Sequence, residues 1–364
     1  MKTTSKLLSL LLAALLLLMA AAPSAFAEEP KYSFANTNAG LFAIDADGDA
    51  RLLADNDWTG MAEWILEWKN LQSVSSSDIV AAGLKNDGTV VSNVWNEADR
   101  EEIATWRDLV QVVCAYDHVI GLRSDGTVVS CGDGWPDYDD DPNVHDGSYD
   151  FSSWTGVKRL VAAVCPEGWT VFGLREDGTV LDTLFVDDES EENSYYLLSN
   201  RWSGTAENVV DLVSSNCITV AVRSDGTVIY KGHMPIDFSQ TLQQWENIKQ
   251  VAIVGNAVVG LRSDGTLVCT DEEITLSPED GWRDIIAIDG PDSYYSGYLL
   301  ALRSDCSAKL FNFMSPEYND EDAWVKEVEN WEDLQGCVNF GDAVIGWRSD
   351  GSYCAVGIDP ALLN

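Results

Sequence analysis

One phrase returns eight times along the chain, in its fullest form Gly-Leu-Arg-Ser-Asp-Gly-Thr-Val, and no other feature restricts the fold so strongly. Its aspartate falls at Asp47, Asp87, Asp125, Asp177, Asp225, Asp264, Asp305 and Asp350, at intervals of 40, 38, 52, 48, 39, 41 and 45 residues. A period of that size belongs to repeat architectures, in which each copy buries its apolar face only against its neighbours.

The phrase reads column by column. Four residues before each aspartate stands a small residue (Ala43, Gly83, Gly121, Gly173, Ala221, Gly260, Ala301, Gly346), and three before it an apolar one (Ile44, Leu84, Leu122, Leu174, Val222, Leu261, Leu302, Trp347). Asp-Gly then fits the central pair of a type I′ turn, where both residues need positive φ, and β-prone residues usually follow; the phrase predicts a β-hairpin. Upstream lies an anchoring tryptophan (Trp68, Trp106, Trp154, Trp202, Trp245, Trp282, Trp331), 19 residues before the aspartate in four units and 23 in three. An apolar run between them, such as Leu109-Val110-Gln111-Val112-Val113, supplies a third strand, and a fourth is expected. Helical periodicity is almost absent after the first thirty residues. Such small sheets must stack face to face, and closing the stack removes its ends. The expected fold is all-β, a β-propeller of short antiparallel blades, eight by count, or seven if the N-terminal unit lies outside the ring. The small column suits inner strands crowded around a central channel.

Strings such as Trp106-Arg107-Asp108-Leu109 followed by His118-Val119-Ile120-Gly121-Leu122-Arg123-Ser124-Asp125-Gly126-Thr127-Val128 resemble the bacterial form of the regulator of chromosome condensation repeat. The short units are similar to those of propellers of the beta-lactamase inhibitory protein II type. The resemblance spans the chain after its first thirty residues and implies an interaction scaffold without catalysis. The sequence departs from it in three places: unit one has no tryptophan, unit seven reads Asp305-Cys306, and the glycine closing the third strand survives only at Gly132, Gly232 and Gly357. Rival propellers fit less well. A sialidase Asp-box separates Asp from Gly and ends in an aromatic residue, and no Gly-His and Trp-Asp pairing marks a WD repeat.

Residues 1–27 read as a secretory signal peptide, with Lys2 and Lys6, an apolar run from Leu7 to Ala22, and Ala25-Phe26-Ala27 before Glu28. Counting back 19 residues from Asp47 lands on Glu28, in phase with the first repeat. The expectation is a secreted, extracellular protein with one propeller domain over 28–364, monomeric and without membrane insertion. Sixty acidic against 22 basic residues give −38, and losing Lys2 and Lys6 with the leader makes it −40. Such a field repels nucleic acid and anionic lipid, so a chromatin role is not carried over from the resemblance. It suits solubility, with attraction of a basic partner as the less common use.

Chemistry is sparse. Seven units carry a base two residues before the aspartate (Lys85, Arg123, Arg175, Arg223, Arg262, Arg303, Arg348), and a residue present in nearly every blade reads as serving the blade, by pairing with a carboxylate. His118, His145 and His233 have no repeated Ser or Cys partner, so no nucleophilic triad can be argued and no enzyme is expected. The eight cysteines (Cys114, Cys131, Cys165, Cys217, Cys269, Cys306, Cys337, Cys354) read mainly as buried free thiols, and their spacing does not suit zinc. Asp45-Ala46-Asp47-Gly48-Asp49 and Asp137-Tyr138-Asp139-Asp140-Asp141 alternate carboxylates as calcium loops do, but neither fits the twelve-residue pattern. No cofactor or metal is expected.

Insertions carry the better signal. They fall between Trp and Asp in units four, five and seven, and around 131–153, 182–200 and 311–330. Turns after the first and third strands share one face of an up-and-down blade, so variation should collect there. These segments are rich in rings, and Trp135, Tyr138, Trp169, Tyr195 and Tyr295 are the candidate binding residues. The expected function is binding of an extracellular protein partner, with a carbohydrate-binding propeller or a hydrolase using clustered carboxylates as alternatives.

Overall fold

Every repeat folds into its own three-stranded antiparallel sheet, with the strands in sequence order. The computed structural model describes residues 31–364 except 38, 56–59, 78, 133–150, 166–167, 187–201, 203–205, 216–217, 233–237, 292–296, 317–318 and 320–321. Blade 1 comprises Tyr32–Thr37, Gly40–Asp45 and Ala50–Asp55; blade 2, Leu71–Ser76, Ala81–Lys85 and Val90–Ser92; blade 3, Leu109–Ala115, His118–Arg123 and Val128–Cys131; blade 4, Val157–Cys165, Gly168–Arg175 and Val180–Val186. Blade 5 comprises Val209–Ser215, Ile218–Arg223 and Val228–Gly232; blade 6, Ile248–Val254, Ala257–Arg262 and Leu267–Cys269; blade 7, Ile285–Asp289, Tyr298–Arg303 and Ala308–Asn312; blade 8, Leu334–Asn339, Val344–Arg348 and Tyr353–Val356. The fold is all-β, with eight propeller-type blades. The N-terminal repeat is a blade like the rest.

The described chain forms two compact units, Lys31–Asn208 with blades 1–4 and Val209–Asn364 with blades 5–8. In the first unit, Phe42 and Ile44 of blade 1 share a core with Leu71 and Val74 of blade 2, and similar clusters join blade 2 to 3 and blade 3 to 4. In the second unit, clusters join blade 5 to 6, 6 to 7 and 7 to 8. Within each unit, first strands of successive blades are clasped by side chains. The Gln111 amide donates to the Leu160 carbonyl and accepts from the Leu160 N–H, both at 2.8 Å, and Gln250 brackets Ile288 in the same way at 2.7 and 3.0 Å.

The expected fourth strand is not present among the described residues. Its place in the repeat is taken by one or two helical turns that deliver the tryptophan: α1 (Met61–Glu67), α2 (Glu97–Ile103), α3 (Ser239–Leu242) and α4 (Ala323–Val328). Each apolar residue three before the tryptophan accepts its N–H, as Ile65 does from Trp68, Ile103 from Trp106, Leu242 from Trp245 and Val328 from Trp331. These helices bury one or a few residues each, so their period is too short to register in sequence.

The small column has a different cause from the one expected. It lies on the middle strand of each sheet, and its five glycines lie under the tryptophan of the same blade. A Cβ on Gly260 would stand 2.8 Å from Trp245 Cζ3, one on Gly173 2.7 Å from Trp154 Cζ3, and one on Gly121 3.3 Å from Trp106 Cε3. The two columns are therefore one device, a ring and the seat that admits it, and crowding around a channel is not what selects glycine.

Unit five also differs from the sequence register. Tandem alignment sets Ala206-Glu207-Asn208-Val209 against Trp106-Arg107-Asp108-Leu109, because Asn208 and Asp108 both take positive φ (59° and 61°) immediately before the first strand. Ala206, which is buried, occupies the position expected of Trp202. The four extra residues of this unit precede the sheet, and Trp202 is buried by another route, its N–H donating to Asp182 Oδ2 at 2.9 Å.

Candidate binding face

The antiparallel order gives each blade two unlike ends. At one end, the Asp-Gly turns are built on a single plan. Gly126 donates its N–H to the Arg123 carbonyl and Arg123 donates to the Thr127 carbonyl, both at 2.9 Å. Gly126 has φ 82°, whereas none of the eight turn aspartates has positive φ. This is a type I turn closed by a left-handed glycine, a three-residue loop, and not the type I′ turn expected. Cys306, at φ 65°, takes the glycine position in blade 7 and keeps the same bond to Arg303.

That end is interlocked. In the first unit the carbonyls of Gly48, Gly88 and Gly126 accept the N–H of Leu71, Leu109 and Val157 of the next blade, and in the second unit Gly226, Gly265 and Cys306 do the same for Ile248, Ile285 and Leu334. Seven of the eight aspartates are also committed. Asp125 Oδ1 accepts from the Thr127 hydroxyl at 2.7 Å and from its N–H at 2.9 Å. The hydroxyl bond first, then the backbone bond, hold the carboxyls of Asp87, Asp125, Asp177, Asp225, Asp264 and Asp350 below their ordinary pKa, and the neighbouring Lys or Arg adds to this. In Asp305 the Ser307 hydroxyl does the same, and Arg303 lies 3.4 Å from its other oxygen. The repeated bases thus serve their own turns, which supports the structural reading of the basic column. Asp45-Ala46-Asp47-Gly48-Asp49 is the blade 1 turn, where Asp45 Oδ1 accepts from the N–H groups of Asp47 and Asp49 at 3.0 Å.

The other end is irregular. In blade 3 the turn between first and second strands carries Tyr116 at φ 54°, a sparse conformation for a bulky residue, held by the Ser77 hydroxyl bonding its carbonyl from blade 2. Asp117 Oδ1 lies 2.5 Å from Nδ1 of the buried His118. In the second unit, Tyr298 donates to Asp322 Oδ2 at 2.8 Å and stacks on Trp324 with ring centroids 5.2 Å apart. Burial first, then the Asp322 bond, push the Tyr298 phenol up to about 12. Burial pushes Asp322 up, but bonds from Asn312, Tyr298 and the Trp324 and Val325 N–H groups outweigh it and leave the carboxyl lowered. Asn312 Oδ1 accepts from the N–H groups of Met314 and Ser315, fixing a loop from which Met314 projects into solvent.

Of the five sequence-selected residues, Trp135, Tyr138, Tyr195 and Tyr295 lie outside the described residues, as do the Asp137–Asp141 segment, His145 and His233. Trp169 is described in its backbone alone: it sits in the second strand of blade 4, paired with Val164 and Phe185. The unit-four insertion therefore lengthens a hairpin where a loop was expected. Two exposed tryptophans were missed, Trp64 on α1 (51% exposed) and Trp95 before α2 (80% exposed). Their signal was available: both are tryptophans off the anchor register.

Among the described residues, no three His, Cys, Asp or Glu side chains are grouped to hold a metal ion, and no helix is long and apolar enough to cross a membrane. Six described cysteines are free thiols, four of them buried. Burial pushes Cys114 and Cys131 up to about 12 and Cys269 and Cys354 to about 11, so they act as small hydrophobes. A cleft of about 620 Å³ beside α4 is lined by Trp282, Phe311 and Val325. Its Lys309 is already engaged, 3.1 Å from Glu329, 3.0 Å from the Asp280 carbonyl and 5.3 Å above the Trp282 ring.

No protein-family model matches this chain, and no curated protein matches it by sequence. Solved structures similar to it include the CRINKLY WD40 ectodomain of the Arabidopsis thaliana receptor kinase ACR4, at 15% identity over 78% of this chain and 92% of that one, with a TM-score of 0.43. Prp20p from Saccharomyces cerevisiae matches at 12% identity over 84% of this chain and 74% of that one, with a TM-score of 0.41. BamB from Moraxella catarrhalis matches at 12% identity over 90% and 94%, also with a TM-score of 0.41.

Proposed function

We propose that this is a secreted, non-catalytic propeller that binds another protein through the irregular ends of its blades. The observation that carries this reading is the asymmetry between blade ends. At one end the turns share one plan, closed by their own aspartates and joined to the next blade through the carbonyl of the residue after the aspartate, while at the other end the described turns differ from blade to blade, as the strained Tyr116 of blade 3 and the exposed Met314 after blade 7 illustrate. Rigid strands that present variable loops are the usual arrangement for recognition. The leader-like residues 1–27 support export. The repeat phrase supports a propeller of the bacterial regulator of chromosome condensation type, with short units similar to the beta-lactamase inhibitory protein II type.

Alanine at Trp135, Tyr138, Trp169, Tyr195 and Tyr295, measured against a protein captured by the purified chain from residue 28 onward, tests the reading. Truncated hot-spot residues typically cost about 2 kcal/mol or more of binding, so at least one variant should lose affinity by tenfold or more. Unchanged affinity in all five, with losses at Arg123→Ala or Arg262→Ala, would move the site to the Asp-Gly end. Strong signals on a glycan array, with no protein captured, would favour the carbohydrate alternative.

A further inference from the structure

Every blade after the first opens its first strand with a bulge, in which one residue is left out of the pairing register. In blade 6, Ile248 faces Arg262 and Gln250 faces Leu261, so Lys249 is the extra residue. Val210 holds that place in blade 5 and Ile286 in blade 7, and both are exposed, at 48% and 44%. Gln250 clasps Ile288, so the first strands of blades 6 and 7 lie together. Lys249 is thus set at a bulge between two aliphatic residues in the same place on the blades before and after it.

Its ammonium is half-buried and has no hydrogen bond or ion pair among the described residues. Elsewhere in this acidic chain lysines are matched, Lys69 lying 3.1 Å from Asp49 and Lys309 3.1 Å from Glu329. The charged residues on the elements around Lys249 are Asp211, Arg223 and Asp225 of blade 5, Glu246 and Arg262 of its own repeat, and Asp289 of blade 7. Two of these carboxylates are held elsewhere, Asp225 by Thr227 and Asp289 by the Asn339 N–H. Burial alone lowers the Lys249 pKa from its ordinary value, and no neighbouring carboxylate offsets it. An amine in that state is neutral, with a free lone pair, more often than a solvated lysine.

We infer that Lys249 is a nucleophilic amine and the residue of this chain that small aliphatic aldehydes modify first. The Nζ lone pair bonds to the carbonyl carbon, and one N–H proton passes to the carbonyl oxygen. The second N–H proton leaves with that oxygen as water, so amine and aldehyde become imine and water with no oxidant or reductant. An aliphatic chain on the aldehyde covers Val210 and Ile286, which otherwise stand in solvent. The bulges lie at the interlocked end of the blades, away from the proposed binding face.

Butanal with cyanoborohydride, added in limiting amount to the purified chain at neutral pH and followed by peptide mapping in a mass spectrometer, reads the rate at each lysine. Cyanoborohydride gives its hydride to the imine carbon and fixes the adduct as a secondary amine. Lys249 should be labelled at least about threefold faster than Lys326, exposed on α4, and Lys158, the bulge residue of blade 4. That advantage should vanish above about pH 10, where every lysine is largely neutral. Formaldehyde, which has no chain to cover Val210 and Ile286, should discriminate less. Ile286→Asp sets a carboxylate on the neighbouring strand and should slow Lys249 to the rate of the other two, whereas Ile286→Asn should not; both alter an exposed side chain and should melt with the parent. Equal labelling of the three lysines at neutral pH, an advantage that persists above about pH 10, a formaldehyde preference as large as that of butanal, or a Lys249 rate that Ile286→Asp leaves unchanged would overturn the inference.

Discussion

The two ends of blade 3 differ in what their residues are for. At the Arg123–Thr127 turn the bonds follow the repeated plan: the glycine carbonyl holds Val157 of the next blade, and the aspartate holds Thr127. At the Ala115–His118 turn, Tyr116 is held at φ 54° with its side chain partly in solvent, and Cys131 leads into a long segment before blade 4 begins. The first end repeats because it carries the joint between blades, and any change there propagates to a neighbour. The second varies because no bond common to the blades fixes it; blade 3 is tied there by a bond of its own, from the Ser77 hydroxyl of blade 2 to the Tyr116 carbonyl. Repetition in this chain therefore marks structure, and departure from repetition marks the regions to test for function.

The comparison can be broken most forcefully at the ring and its seat. Trp106 is buried over Gly121, and Trp106→Ala should cost about 3–5 kcal/mol, the usual loss for a large core ring. Trp95→Ala removes an 80% exposed ring and should change stability by no more than about 0.5 kcal/mol. Chemical denaturation of both variants measures the contrast. A small loss at Trp106 would mean that the glycine column is not a seat for the ring.

Much of this was legible in the sequence, and the misreadings have physical reasons. The eight-fold phrase gave strand positions and blade count because Asp-Gly and its flanking columns are local. Turn type was misread because the Asp-Gly dipeptide serves both two- and three-residue loops, and the choice depends on where the strand hydrogen bonds stop: here Arg123 and Thr127 close the ladder around three residues. The link between Trp106 and Gly121 is a tertiary contact across fifteen residues, which column statistics show as two separate habits. A four-residue insertion can precede a strand or extend a hairpin, so Trp202 and Trp169, in units of equal spacing, came out differently. Trp64 and Trp95 were visible as tryptophans out of phase, but only burial distinguishes an off-register core ring from an exposed one.

A smaller effect is expected from the turn itself. Gly126 lies at φ 82°, and a Cβ there would meet the Gly156 Cα at 3.0 Å and the Val157 nitrogen at 3.1 Å, both backbone atoms of blade 4. Gly126→Val combines backbone strain with that collision and should cost about 1–3 kcal/mol, read from the denaturation midpoint. Gly126→Asn should cost less, since Asn tolerates the left-handed region better. Affinity of the folded fraction for a captured partner should be unchanged in both. Loss of binding at full folding would show that the interlocked end also recognises the partner.

The smallest effect is the pH dependence of the same end. Seven turn aspartates have carboxyls held below the ordinary carboxylate range by a hydroxyl two residues on, reinforced by backbone N–H groups. A group whose folded pKa is depressed stabilises the fold fully above its unfolded value, and that contribution disappears as pH falls through the folded value. Melting temperature should therefore hold steady above about pH 5 and fall increasingly below about pH 4. Each carboxylate is exposed and screened, so its own contribution is modest and the slope is a sum over blades. Asp125→Asn should make the acid limb slightly shallower. Thr127→Val, which removes the hydroxyl donor and keeps the carboxylate, should make it shallower as well. An acid limb altered by Asp125→Asn but not by Thr127→Val would point to net charge, and not the Asp–Thr bond, as the source of the acid sensitivity.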